Sequence, residues 1–257
     1  MRPSRGVRWG QNFLIDPNIQ RKILALADIQ PADRVLEIGP GRGMLTRGLM
    51  DRGAVLTAIE IDPTLGAQIQ AEFPGATIVI GDALHHSYNF LPAPYKVVAN
   101  LPYSVAVPLL MKLFEQRGRI TKMVLMFQKE VAERLVAAPG SKAYGSLSVL
   151  AQFHAELSIV WSVPSSCFSP RPEVASSIVR VIPHSVPKTV VLDEAIFFRI
   201  VKGAFSHRRK QIHNALTDAG FPTDKTRQAL SRARIDGARR AETLSLFNFS
   251  MLASAWQ

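Results

Sequence analysis

The chain has 257 residues, 47% of them apolar and 20% charged, which is enough to bury one large core or two unequal ones and excludes a disordered chain. No run of about 18 apolar residues exists, no apolar stretch follows the basic Met1-Arg2-Pro3-Ser4-Arg5, and Cys167 is the single cysteine; no membrane span, signal peptide, disulfide or structural metal is expected, and the protein reads as cytoplasmic. The net charge of +11 is concentrated, with eleven Lys/Arg against three Asp between Arg199 and Arg240, a footprint that suits a polyanion partner, most simply nucleic acid, with a solvated helical face as the level alternative.

Asp16-Pro17 opens an N-terminal helix carrying Ile19, Ile23, Leu24 and Ala27. Strands are then predicted at 34–38, 54–61, 76–80, 95–99 and 122–127, with helices at 44–52, 63–73 and 108–116 between them. This alternation implies a parallel sheet covered on both faces. Helices are expected at 129–137 and 146–153. Segments 157–163 and 178–182 read as an antiparallel strand pair at the sheet edge, joined by the proline-shaped loop 164–174. Beyond Pro183-His184-Ser185-Val186-Pro187, a linker by composition, only helices are predicted, at 193–205, 207–219, 224–233 and 242–253. A domain boundary is placed near residue 185.

Glu37-Ile38-Gly39-Pro40-Gly41-Arg42-Gly43 ends the first predicted strand and opens a helix. Glycines there let the backbone turn tightly and lie against a ligand. Glu60 ends the second strand, where a carboxylate can accept ribose hydroxyls, and Asp82 follows the third, where an acid can accept an adenine amine. Together they point to an adenosine-containing cofactor at the carboxyl ends of the strands. The spacing is G-x-G-x-G, so the third glycine of the dinucleotide fingerprint is misplaced; S-adenosylmethionine and a nicotinamide dinucleotide both fit up to this point.

Asn100-Leu101-Pro102-Tyr103 ends the fourth strand and resembles the N/D-P/L-P-Y/F element of amino-group methyltransferases. An adenine N6 amine is a poor nucleophile because its lone pair is conjugated with the ring. The Asn100 side-chain oxygen and the Leu101 carbonyl can bind its two hydrogens, favour a tetrahedral nitrogen and aim the lone pair at a methyl donor. Pro102 stiffens the turn, and Tyr103 offers a face for a flipped base. The plain alternative is an Asn that caps a helix starting at Pro102 or Ser104.

With these motifs, Gly10-Gln11-Asn12-Phe13-Leu14, Gln128-Lys129-Glu130-Val131, Ser141-Lys142-Ala143-Tyr144-Gly145, Phe168-Ser169-Pro170-Arg171-Pro172-Glu173-Val174 and Ala204-Phe205-Ser206-His207-Arg208-Arg209-Lys210, the chain resembles the KsgA/RsmA family of ribosomal RNA adenine N6,N6-dimethyltransferases from Gly10 to about Leu252. The resemblance implies an α/β fold, a Rossmann-like S-adenosylmethionine-dependent methyltransferase sheet over 1–185, followed by a small all-helical basic RNA-binding domain over 186–257. It implies that Asn12, Leu14, Gly39, Gly41, Glu60, Asp82 and Asn100 bind S-adenosylmethionine. It also implies that Asn100, Leu101, Pro102 and Tyr103 carry the chemistry, on two adjacent adenosines in a hairpin near the 3′ end of 16S rRNA, within a small ribosomal subunit or its precursor. A monomer is expected, with no membrane partner and no metal.

Phe168 resembles the family's second aromatic near the target base, and with Tyr103 it would sandwich an adenine; a core phenylalanine is the level alternative. Arg208, Arg209 and Lys210 are expected to begin a helix that packs Ile212, Ala215, Leu216 and Ala219 inward and presents charge to RNA. His85 and His86, with no third ligand in sight, read as solvated. Two positions depart from the pattern: Ser104-Val105 stand where the family often has Asn-Ile, and Arg42 where it often has an aliphatic or bulkier residue. Three other readings are weighed. A macrolide-resistance methyltransferase would share the fold and act on large-subunit RNA, but lacks the Phe205–Lys210 pattern. In a ribosome-assembly or RNA-binding factor methylation would be secondary; the intact Asn100-Leu101-Pro102-Tyr103 and Glu60 argue against a purely non-enzymatic form. A nicotinamide oxidoreductase is disfavoured by the glycine spacing.

Overall fold

Proline and aspartate set the first helix. Pro17 occupies its first turn, and the Asp16 carboxylate accepts from the amides of Asn18 and Ile19, satisfying donors that no helical carbonyl reaches. The computed structural model describes residues 11–186, 188–189 and 191–256. In chain order they form β1 (Phe13–Leu14), α1 (Pro17–Ala27), β2 (Arg34–Ile38), α2 (Met44–Met50), β3 (Val55–Glu60), α3 (Pro63–Glu72), β4 (Thr77–Ile80), β5 (Tyr95–Asn100), α4 (Ala106–Phe114), β6 (Ile120–Gln128), α5 (Lys129–Val136), α6 (Ser146–His154), β7 (Ala155–Val163), β8 (Phe168–Ser169), β9 (Ser176–Pro183), α7 (Glu194–Ala204), α8 (Ile212–Asp218), α9 (Thr223–Arg232) and α10 (Leu246–Ser254).

These elements divide into two compact units, one within 1–132 and 156–185, the other within 133–155 and 186–257. The first holds a seven-stranded sheet in the order β4-β3-β2-β5-β6-β9-β7. Its first five neighbours pair in parallel. Strand order reverses between β2 and β5, and there the loops leaving the two carboxyl ends diverge to open a cleft. The core strands read as continuous apolar runs because both faces are covered: Val35, Leu36, Val97, Val98, Val124 and Leu125 are all buried.

Residues 157–163 and 178–182 were expected as a strand pair at the edge. Only β7 lies there. β9 is inserted between β6 and β7 and pairs antiparallel with β6, from Met123 opposite Val181 to Gln128 opposite Ser176. Burial explains the order: Ser176, Ser177, Ile178 and Val179 are all buried, whereas β7 is half-exposed along most of its length. A second sheet, missed in the sequence, consists of β1 and β8 alone, with Phe13 opposite Ser169 and Leu14 opposite Phe168.

The second unit is helical. Residues 133–155, expected with the sheet domain, belong to it because Tyr144, Val149 and Phe153 are buried with Phe197, Ile200, Leu216 and Phe249; the Phe153 and Phe197 rings lie 4.8 Å apart. Helices were expected to start at residues 207 and 242 and instead start later. Gln211 is extended and bridged to Arg240, and the Ile212 amide donates to the Arg239 carbonyl, so α8 begins at Ile212. The three cations at 208–210 therefore escape a first helical turn, where the macrodipole would oppose them. Ile212, Ala215 and Leu216 are buried as the spacing requires, but Ala219 is exposed. α10 begins only where Ser245 and Asn248 form a capping box.

Candidate active site

The loop after β2 turns through three glycines at positive φ, with Gly39 at 67° and Gly41 at 57°. At Gly39 a Cβ would meet nothing within 4 Å, so the backbone there faces open space. At Gly41 a Cβ would come within 2.9 Å of Phe13 Cδ1, so a side chain is barred by both conformation and contact. The loop borders a cavity of about 280 Å³.

Every residue expected to bind the cofactor lines this cavity: Asn12, Leu14, Gly39, Gly41, Glu60, Asp82 and Asn100; so do Leu101, Pro102 and Tyr103. Glu60 is 2% exposed. One carboxylate oxygen accepts from the Gly41 amide at 3.1 Å and the other from the Asp62 amide at 3.0 Å. Burial pushes its pKa up, and these backbone amides pull against that rise. Each oxygen keeps a further lone pair for a ligand hydroxyl. Asp82 accepts from the Leu84 amide at 2.8 Å and pairs with His85 Nδ1 at 2.9 Å. The Leu84 amide chiefly holds its carboxyl below the usual range, against partial burial, with His85 helping. His85 is thus paired, although its side chain is 85% exposed, and His86 packs edge-on against Phe90. Among the described residues no three His, Cys, Asp or Glu side chains could hold a metal.

Asn100 does not cap a helix. α4 starts only at Ala106, and the Asn100 amide nitrogen donates instead to the Asn12 carbonyl at 3.0 Å. That bond uses one of the two N–H donors, orients the amide and leaves Oδ1 as an acceptor. Tyr103 is half-buried, with its hydroxyl 2.5 Å from Ser176 Oγ. Burial raises its pKa, and the Ser176 hydroxyl moderates the rise.

The remaining expected site residues lie elsewhere. Phe168 is 3% exposed, packs in the core of the first unit and does not line the cavity, so its ring has no free face for a base; its pairing with Leu14 holds it inward. Arg208, Arg209 and Lys210 belong to the second unit, where with Ser206 and His207 they line a shallow concavity. Arg208 donates to the Lys142 carbonyl at 2.6 Å, and Lys210 forms an ion pair with Asp218.

One cavity residue escaped the sequence reading as a functional group. Glu37 sits inside apolar β2, 1% exposed, accepting from the Thr46 hydroxyl at 2.8 Å. Burial pushes its pKa up to about 8, against the Thr46 bond, and the nearby Glu60 adds to the rise. An acid between Leu36 and Ile38 in a fully buried strand was the available signal.

The site suits an adenosine-bearing methyl donor: a glycine-lined turn with open space beside it, a buried carboxylate with spare lone pairs at one strand end, and an acid at the next. The family of ribosomal RNA adenine dimethylases matches residues 5–253. The chain is similar to the ribosomal RNA small subunit methyltransferase A of Syntrophotalea carbinolica, 46% identical over 100% of this chain and 97% of that one. That of Moorella thermoacetica is 44% identical, over 96% and 91%. Among solved structures, a dimethyladenosine transferase from Plasmodium falciparum superposes with a TM-score of 0.81 at 28% identity, over 93% of this chain and 95% of that one. The 23S rRNA methyltransferase ErmE does so at 0.71 and 26%, over 95% and 99%. With the adenosine-type cavity and the Asn100–Tyr103 element in its wall, these matches establish that the chain belongs to the ribosomal RNA adenine dimethylase family and is an S-adenosylmethionine-dependent ribosomal RNA adenine dimethyltransferase.

Proposed function

We propose that the chain dimethylates the N6 amines of two adjacent adenosines in a hairpin near the 3′ end of 16S rRNA, acting on a small ribosomal subunit or its precursor, as a cytoplasmic monomer. The observation that carries the site reading is the Asn12–Asn100 bond, because it ties the nitrogen end of the Asn100 amide to the backbone and leaves Oδ1 as an acceptor for a substrate amine.

When bound, S-adenosylmethionine supplies an electrophilic methyl group. Glu60 would accept its ribose hydroxyls and Asp82 its adenine amine, while Asn12, Leu14, Gly39 and Gly41 line its methionine end. Asn100 Oδ1 and the Leu101 carbonyl accept the two hydrogens of the target amine. That holds the nitrogen toward tetrahedral geometry and turns its lone pair away from the ring. After one transfer and release of a proton to solvent the amine has a single hydrogen left, so only one acceptor remains engaged and the pocket must admit a methyl group where a hydrogen stood. Tyr103, steadied by Ser176, offers the stacking face, and Pro102 fixes the turn. Phe168, buried as it stands, would stack only after moving outward. The basic segment Arg208–Lys210 in the helical unit would contact RNA phosphates.

The test supplies labelled methyl donor and, separately, naked small-subunit RNA, small subunits and large subunits, then maps the labelled bases. Label on two neighbouring adenosines near the 3′ end of small-subunit RNA is expected. Label on large-subunit RNA would instead favour the macrolide-resistance reading, which the likeness to ErmE keeps in view; the names of the curated relatives support the small subunit. Binding without label would favour an assembly factor.

A further inference from the structure

Arg42 has no part in the proposed mechanism. Its side chain is exposed and lines the cavity, and its guanidinium carbon lies 4.6 Å from the centre of the Phe13 ring. The ring is itself held, because Phe13 is paired with Ser169 and its edge is seated against Gly41. Among the described residues Arg42 pairs with no carboxylate. Arg47, one turn on, shows the contrast: it lies over Phe73 and is neutralised by Glu72. Arg42 is thus a cation fixed on an aromatic ring at the cavity wall with its donor fork unspent.

We propose that Arg42 binds a phosphate of the ribosomal RNA strand beside the target adenosine. The inference rests on the assigned RNA adenine methylation. A base that delivers its N6 amine to Asn100 must leave its sugar and phosphates at the mouth of the cavity. There a guanidinium presents two parallel donors to a phosphate, and stacking on Phe13 lowers the entropy lost when it does so. The methyl donor's sulfonium is cationic, so an arginine turned inward would oppose it, whereas one on the exposed wall does not. The one anion that competes for Arg42 is the donor's own carboxylate.

The test compares wild type with Arg42→Gln and Arg42→Lys, using small ribosomal subunits as the methylation substrate, small-subunit RNA for binding across a salt series, and calorimetry for S-adenosylmethionine. Arg42→Gln is expected to raise KM for the RNA substrate by about five- to tenfold and to reduce the salt slope of RNA binding by about one, with cofactor affinity within twofold of wild type. Arg42→Lys should fall between, since it keeps charge and loses the fork. Weakened cofactor binding with an unchanged salt slope would overturn the proposal in favour of the donor's carboxylate. No change in either would reduce Arg42 to a solvated side chain. A wild-type protein that labels no ribosomal RNA would instead defeat the assigned activity.

Discussion

Asn100 and Asn12, 88 positions apart in sequence, are joined by a 3.0 Å hydrogen bond from the Asn100 side-chain amide to the Asn12 carbonyl. The bond orients the Asn100 amide with its nitrogen toward the Asn12 backbone, and in the proposed mechanism Oδ1 is then the acceptor for the substrate amine. Asn100→Ala should lower kcat by roughly 100- to 1000-fold while the unfolding midpoint stays near that of wild type. Asn100→Asp keeps an acceptor but sets a carboxylate against the Asn12 carbonyl, so it too should lose turnover. Single-turnover methylation with circular dichroism checks both, and near-normal rates in a folded Asn100→Ala protein would remove the proposed role.

Glu60 already holds two backbone amides. Glu60→Gln cannot accept from both with one oxygen, since the amide nitrogen only donates. The Gly41 turn should loosen and S-adenosylmethionine binding weaken by about 1.5–3 kcal/mol. Calorimetry giving wild-type affinity would take Glu60 out of the site.

Glu37 makes stability depend on pH. Its folded pKa of about 8 lies above its ordinary 4.5, so between those values the folded state binds more protons than the unfolded one. Its contribution is complete below pH 4.5 and falls as pH rises toward 8, by on the order of 3–5 kcal/mol if nothing relaxes around the charge. Glu37→Gln removes this titration. Urea unfolding from pH 5 to 9 should therefore show the wild type losing stability relative to the variant as pH rises, and parallel profiles would mean that Glu37 ionises normally in the fold.

The three cations at 208–210 should not behave alike. Arg208 is engaged by the Lys142 carbonyl and Lys210 by Asp218, whereas Arg209 is exposed and makes no such contact among the described residues. Arg209→Gln should flatten the salt dependence of RNA binding by about one phosphate's worth without moving the unfolding midpoint. Lys210→Gln should lower that midpoint slightly. Filter binding at several salt concentrations, alongside thermal melts, separates them; equal slopes for Arg209→Gln and wild type would exclude a phosphate contact there.

The parallel strands were legible because burial on both faces leaves unbroken apolar runs such as Val35-Leu36 and Val97-Val98-Ala99. The glycine turn, Glu60 and Asn100 were legible because each ends such a run, and Asp82 because it follows the next strand. β1 and β8 were not, since two residues carry no periodicity. That pairing is also what buries Phe168, so the misplaced aromatic and the missed strands have one cause. The late start of α8 depends on Gln211 meeting Arg240, a contact between distant residues that no local pattern encodes. Residues 133–155 joined the helical unit through Phe153 against Phe197, again a match visible only in three dimensions.

β9 runs against its neighbour β6, so its first residue, Ser176, stands opposite Gln128 where β6 ends. The Tyr103 hydroxyl meets Ser176 there. The tilt of the Tyr103 ring in the cavity wall is therefore written into the reading frame of a strand 73 positions later. Side chains alternate along a strand, so one residue added inside β9 would turn Ser176 to the opposite face and leave the tyrosine unsupported. Residues added to the preceding loop, between Arg171 and Val174, would leave the frame untouched. The phase of that strand, not the length of the loop before it, decides whether the Tyr103 hydroxyl finds its partner.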